Sequence, residues 1–280
     1  MRGIILKSIG KMHATTTKRK GARSIKEVPQ EILELLNIGK IETANLVESL
    51  AIDQRLLLTN ILEQNERVNY LAPILTKIEQ LKKQTMNTIN EAIGAELLEL
   101  VTQHNDKDFV NIISHHTSDV VRGWATYIIG KNHHLSIAET LEQIQRFAAD
   151  RHFGVRETCW LAVRSKIATN LIESIEILSK WTIHLDENIR RFTTEATRPR
   201  GVWCEHIKQL KQQPELAISI LEPLKSDPAK YVQNSVANWL NDASKTSPDF
   251  VIELCRRWER ESNTEETKYI VKKALRTLSK

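Results

Sequence analysis

The 280-residue chain contains only nine glycines, three cysteines and 5% aromatic residues, and each scarcity removes a class of protein. Few glycines and few aromatics argue against a strand-rich fold. Cys159, Cys204 and Cys255 are odd in number and far apart, which suits neither a disulfide framework nor a zinc site. No apolar run approaches the roughly 20 residues that cross a bilayer, so the expectation is a soluble, cytoplasmic protein without a membrane partner. The phosphate-cradling GxxxxGK[ST], the dinucleotide GxGxxG and the nucleophile-elbow GxSxG are all missing. The pairs His115-His116 and His133-His134 are adjacent, and on a helix such neighbours diverge by about 100° instead of converging on one ion. No metal and no organic cofactor is expected.

Acidic residues are absent from residues 1–26, which hold eight Lys or Arg and leave 27–280 at −3 within a total of +5. The high isoelectric point therefore belongs to the N-terminal tail. Three readings suit it: a basic arm drawn to a polyanion, a solvated leader, or an acid-poor organellar transit peptide.

What the chain does have is internal repetition. SDVVRGWATYIIG (118–130), DRHFGVRETCWLAV (150–163), DENIRRFTTEATR (186–198) and DPAKYVQNSVANWL (227–240) superpose on one polar residue, Arg122, Arg156, Arg190 and Gln233 in turn, at spacings of 34, 34 and 43. TKYIVKKALRTL (267–278) supplies a fifth copy, with Lys268-Tyr269 echoing Lys230-Tyr231 at 38. Between the copies lie IAETLEQIQRFAA, LIESIEILSKWTI, ELAISILEPL and DFVIELCRRWE, whose apolar positions recur every three or four residues. Ser118, Asp186 and Asp227 stand where helix caps belong, and Pro214, Pro228 and Pro248 where proline starts a helix. Such periods are those of stacked helix pairs, so the fold class is an all-α solenoid. The expected organisation is a basic tail (1–26), a helical capping region (27–116) that matches the period poorly, and the repeats (117–280).

In a stacked array, Arg122, Arg156 and Arg190 fall at equivalent positions, with Arg191 beside them. A ladder of guanidiniums suits a regularly spaced polyanion such as DNA. The same residues can instead pair with Asp150, Asp186 and Glu157 between repeats. Both readings stay open at this level.

The phrases LNIGKIETANLVESLAID (36–53), RRFTTEATRPRGVW (190–203) and DPAKYVQNSVANWLNDASKTSPDFV (227–251) resemble the AlkC branch of the AlkC/AlkD superfamily, the HEAT-like-repeat DNA glycosylases. The resemblance leaves mainly the tail and 54–117 uncovered. It implies a right-handed, C-shaped solenoid with a concave basic face, acting as a monomer on double-stranded DNA. The activity it implies is removal of cationic N-alkylated purines such as 3-methyladenine and 7-methylguanine without base flipping. Some AlkC relatives carry an additional immunoglobulin-like domain, and none is expected here, since this sequence ends too early for one.

Expelling a base that is already cationic needs little leaving-group protonation, while the sugar gains oxocarbenium character. The chemistry therefore asks for one or two carboxylates, flanking aromatics and basic phosphate clamps. The candidate carboxylates are Glu157, Glu195 and Asp242. Candidate DNA-binding residues are Arg122, Arg156, Arg190, Arg191, Arg198, Arg200, Asn238 and Asn241, and candidate lesion or sugar contacts are Trp124, Trp160 and Trp203. Each has a structural alternative: core packing for the tryptophans, neutralisation of its arginines for Glu195. Two departures bear on activity. The AlkD-branch WDxVD motif has no counterpart, Arg122 standing where its aspartate would fall, and the AlkC-like SEFAVRPF is replaced by DRHFGVRETCW, with His152 in place of the glutamate and Glu157 gained. A catalytically silent DNA-binding relative and a protein-binding scaffold are the alternative functions.

Overall fold

The computed structural model describes residues 19–278. Among them there are sixteen α-helices and no strand, and no helix is long and apolar enough to cross a membrane. Most of the basic tail, residues 1–18, lies outside the described part. Its end is tied down: Arg19 donates through Nη2 to Glu48 Oε2 at 2.7 Å and to the Glu42 carbonyl at 3.1 Å.

Two compact units meet in sequence between Ile128 and Ile129. The first holds α1 (Gln30–Asn37), α2 (Leu46–Ala51), α3 (Gln54–Gln64), α4 (Leu71–Glu79), α5 (Met86–Gln103), α6 (Lys107–Ser114) and most of α7 (Asp119–Lys131). Asn45, Asp53, Thr85 and Asp106 cap α2, α3, α5 and α6, each side chain accepting a first-turn N–H that the helix itself leaves unpaired. The apolar stripes meet in a core of Leu57, Leu58, Ile61, Ile74, Ile93 and Phe109, all fully buried. Gly94 marks the close approach of α5 to α7, since a Cβ there would lie 2.4 Å from Tyr127 Cβ and 2.9 Å from the Trp124 carbonyl oxygen.

The second unit holds α8 (Ile137–Ala148), α9 (Phe153–Thr169), α10 (Leu171–Trp181), α11 (Glu187–Ala196), α12 (Lys208–Gln212), α13 (Ile218–Leu221), α14 (Lys230–Ala243), α15 (Pro248–Glu261) and α16 (Glu265–Ala274). Helices α9, α11, α14 and α16 pack in succession as one layer, and α8, α10 and α13 pack in succession as the other. These are the stacked pairs of an α-solenoid, and the sequence period becomes a spatial one. Arg164 reaches the carbonyl of Arg198, 34 residues on, and Lys166 Nζ reaches that of Asn132, 34 residues back. Pro248 opens α15 and Asp186 caps α11. Asp227 sits two residues before the α14 cap, accepting from the Ala229 N–H at 2.8 Å. Trp239 and Trp258 are fully buried, and both indole N–H groups are satisfied, by the Thr197 carbonyl at 3.0 Å and Glu222 at 2.9 Å.

Candidate functional site

The polar residue on which the repeats superpose has one shared local task. Nη1 of Arg122 donates to the carbonyls of His116 and Thr117 at 2.7 and 2.9 Å. Nη1 of Arg156 donates to those of Asp150 and Arg151 at 2.7 and 3.0 Å, and Nη1 of Arg190 to those of His184 and Leu185 at 2.8 and 2.9 Å. Gln233 Nε2 reaches the carbonyls of Asp227 and Pro228 at 2.8 and 3.5 Å. In each of these four copies the donor ties the turn between paired helices to the second helix, gripping carbonyls five and six residues back. An amide serves as well as a guanidinium, so the period needs no ligand to explain it.

The remaining nitrogens are also committed. Arg122 Nη2 pairs with Glu42 at 2.6 Å, and Arg190 grips Asp227 through Nε and Nη2 at 2.6 and 3.0 Å. Of the expected phosphate ladder, Arg122 and Arg190 thus hold turns and carboxylates of their own chain. Arg156 differs: it has no carboxylate partner among the described residues, and its guanidinium lies 5.4 Å from the Tyr231 ring centre.

A second, non-repeating set of side chains forms a continuous network across α9, α11 and α14. Glu157 accepts from Arg191 Nη2 on Oε1 at 2.7 Å and from the Trp160 indole N–H on Oε2 at 3.0 Å. Arg191 lies 3.4 Å from Glu195 Oε1 and rests on the Tyr231 ring, 4.2 Å from its centre. Glu195 also accepts from Ser235 Oγ at 2.8 Å and lies 3.3 Å from Arg198 Nη1. Arg198 in turn holds Asp242 through Nε and Nη2 at 2.9 and 2.6 Å, and Lys245 lies 3.1 Å from the other Asp242 oxygen. Burial opposes the charge on Arg191 and Arg198. The neighbouring carboxylates, Glu195 foremost for both, more than offset it, and both pKa values are raised. Within the network Glu195 and Asp242 are buried, whereas the Glu157 side chain keeps 39% of its surface.

RRFTTEATRPRGVW thus ends α11 and enters a loop that is anchored from below. Arg164, buried on α9, donates to the carbonyls of Ala196, Arg198 and Glu205 at 3.1, 2.5 and 3.0 Å. One guanidinium satisfies the end of a helix and both limbs of the following loop. Gly201 leaves room there for two side chains, since a Cβ would lie 2.3 Å from Cys204 Sγ and 3.0 Å from Arg164 Cζ. The loop presents Trp203 at φ 60°, an unusual backbone for a bulky residue, with 73% of its surface exposed. Arg200 is half-buried.

The structure therefore brings Glu157, Trp160, Arg191, Glu195, Arg198 and Asp242 together and leaves Trp203 on the adjoining loop. It removes two expected contact residues from the surface. Trp124 is fully buried in the first unit with its indole on Asn90 Oδ1 at 2.7 Å, and Asn241 is buried on the Ala274 carbonyl and Thr277 Oγ1. Large aromatics and amides with both functions satisfied belong to packing. Asn238 remains half-exposed, accepting from Arg276 at 3.0 Å. Sequence reasoning missed Arg164, Tyr231, Ser235 and Lys245. The signal for Arg164 is its distance of one repeat, 34 residues, from Arg198.

The arrangement, an all-α array of helix pairs carrying a carboxylate–guanidinium network on one layer, has the fold of the AlkC/AlkD structures. Pseudomonas fluorescens alkylpurine DNA glycosylase AlkC, bound to DNA containing an abasic site analog, is similar with a TM-score of 0.67 and 21% identity over 93% of this chain and 66% of that one. AlkD2 from Streptococcus mutans is similar with a TM-score of 0.57 and 22% identity over 74% and 96%, and smu.31 from Streptococcus mutans UA159 with 0.52 and 21% over 79% and 96%. By sequence, the chain is 38% identical over 128 residues to the uncharacterized protein YhaZ of Bacillus subtilis (strain 168), a match spanning 46% of this chain and 35% of that relative. No protein-family model matches the chain.

Proposed function

We propose that the chain binds duplex DNA and hydrolyses the N-glycosidic bond of cationic N-alkylated purines, 3-methyladenine and 7-methylguanine, without flipping the base, as a cytoplasmic monomer. The observation that carries this reading is the half-exposed carboxylate of Glu157, oriented by Arg191 on one oxygen and the Trp160 indole on the other. Similarity to the DNA-bound AlkC supports it at the level of the fold.

In this mechanism Glu157 faces the deoxyribose. The alkylated base leaves as a neutral molecule without being protonated, and positive charge develops on the sugar ring. A carboxylate about 4 Å from that charge is worth about 4 kcal/mol at an effective dielectric of about 20, close to a thousandfold in rate. Arg191 and Trp160 hold the carboxylate so that no reorganisation is needed as charge develops. Glu195 and Asp242 act as positioning residues: buried and shared between cations, they set Arg191 and Arg198 in place. Trp203 offers an exposed ring to the cationic lesion or the sugar, and Arg156, Arg200 and Asn238 supply backbone contacts.

The experiment is release of methylated purine from N-methylated duplex, compared between wild type and Glu157→Gln. Expected is a loss of roughly 10²–10³ in rate with duplex binding unchanged. A specific observation favours a second reading: Arg191 already neutralises Glu157. Wild-type binding without any release would establish that reading, a DNA-binding protein without glycosylase activity.

A further inference from the structure

We infer that the phosphate backbone is held by a strip on α14 and α16, formed by Lys230, Lys273 and Arg276 with Asn234 and Asn238, instead of by Arg122 and Arg190. The inference rests on the DNA reading above and names the surface that performs it.

The partners of these three cations differ from those of the ion-paired cations of the second unit. Arg190, Arg198, Lys225, Lys245, Arg257 and Lys268 each lie within 3.1 Å of a carboxylate oxygen. Lys230, Lys273 and Arg276 are held only by neutral groups among the described residues. Lys230 Nζ lies over the Tyr269 ring, 2.8 Å from its centre, and Lys273 Nζ lies 5.4 Å from the same ring and donates to Asn234 Oδ1. Arg276 donates to Asn238 Oδ1 at 3.0 Å and to the Lys273 carbonyl. Tyr269 completes the set, its hydroxyl donating to Asn234 Oδ1 at 2.8 Å. Aromatic faces and amide oxygens orient a cation without cancelling its charge.

Spacing makes the strip continuous. Lys230, Asn234 and Asn238 recur every four residues on α14, while Tyr269, Lys273 and Arg276 recur at four and three on α16 and the turn after it. Positions three and four apart share a helix face, and the hydrogen bonds above show that the two faces meet. Eight residues of helix cover about 12 Å, the scale of a few charges on one strand at about 3.4 Å of axis each. Lys230 and Arg276 are exposed, and Lys273 and both asparagines are half-exposed. At its near end, Tyr231 carries Arg191 and stands 5.4 Å from Arg156, so the strip runs into the Glu157 network within one layer of helices. Net positive charge beside amide and hydroxyl groups is the donor set that phosphate oxygens take. An acidic peptide or a vesicle surface would not explain why the strip abuts a carboxylate network suited to a sugar.

The test is anisotropy of an unmodified labelled duplex titrated with full-length protein at several salt concentrations. The variants are Lys230→Gln, Lys273→Gln and Arg276→Gln singly and together, with Lys268→Gln, paired to Glu265, as a control. Equal thermal midpoints establish that the variants fold. The expected result is a steep salt dependence for wild type, a slope of log affinity against log salt reduced by about 0.9 for each single variant and about 2–3 for the triple, and no change for the control. The triple variant should lose the same factor on methylated and unmethylated duplex. A wild type that binds with a triple variant of unchanged slope would overturn the strip and leave the DNA reading standing. A wild type that does not bind at all overturns both.

Discussion

At the scale of single residues, the decisive fact about Glu195 is that it sits buried between two guanidiniums. Arg198→Met leaves Glu195 and Asp242 each without a principal cation, and breaking a buried pair from one side costs about 3–5 kcal/mol. A fall of that size in the free energy of denaturant unfolding is expected, and a change below about 1 kcal/mol would mean that the pairs behave as exposed ones. His116 gives a pH handle. Burial, followed by Lys40 and Arg122, holds its pKa down to about 4 from 6.5, and its Nδ1 accepts the Ser118 N–H at 3.0 Å. Because the unfolded chain binds the proton more readily, this contribution is complete above pH 6.5, declines as pH falls toward 4, and is lost below it. His116→Asn keeps an acceptor without a titration, so the acid limb of the stability profile should flatten between pH 6.5 and 4 in that variant.

At the scale of elements, the turn clasp shows how much was legible and why the rest was not. The alignment of Arg122, Arg156, Arg190 and Gln233 was plain in the sequence, and it correctly marked the start of each second helix. Its purpose was not legible, because a carbonyl five or six residues back is an acceptor that every sequence possesses. Comparing Arg190→Gln with Arg190→Ala isolates the clasp: both lose Asp227, but only the glutamine can still reach the turn. The alanine variant should be less stable by a further increment of about 1 kcal/mol in chemical denaturation, and equal stabilities would deny the clasp its role. The tryptophans teach the same lesson. Trp124 and Trp160 occupy near-equivalent repeat positions, yet Trp124 is core in its unit while Trp160 holds a carboxylate, since the difference lies in the neighbour, Asn90 or Glu157.

Across the whole molecule, charge is divided between two kinds of work, and salt distinguishes them. The ion pairs of the network are buried and poorly screened, whereas a surface strip answers to counterion release. Raising salt from 50 to 200 mM should leave the thermal midpoint within a degree or two while duplex affinity falls by about 10²-fold for some four phosphate contacts. Parallel thermal melts and binding isotherms check this, and a midpoint that moves with the affinity would place the network at the surface.

Composition and periodicity by themselves determined the all-α class, the stacked pairs and the gathering of Arg191 and Arg198 about one glutamate, Glu195, because helical spacing is local and survives without tertiary information. Which carboxylate stays partly in solvent, which arginines spend their charge on their own turns, and which lysines keep theirs was decided only by tertiary structure. Those outcomes depend on partners some 34 to 44 residues away, and burial and ion pairing are properties of the packed layer, absent from any single helix.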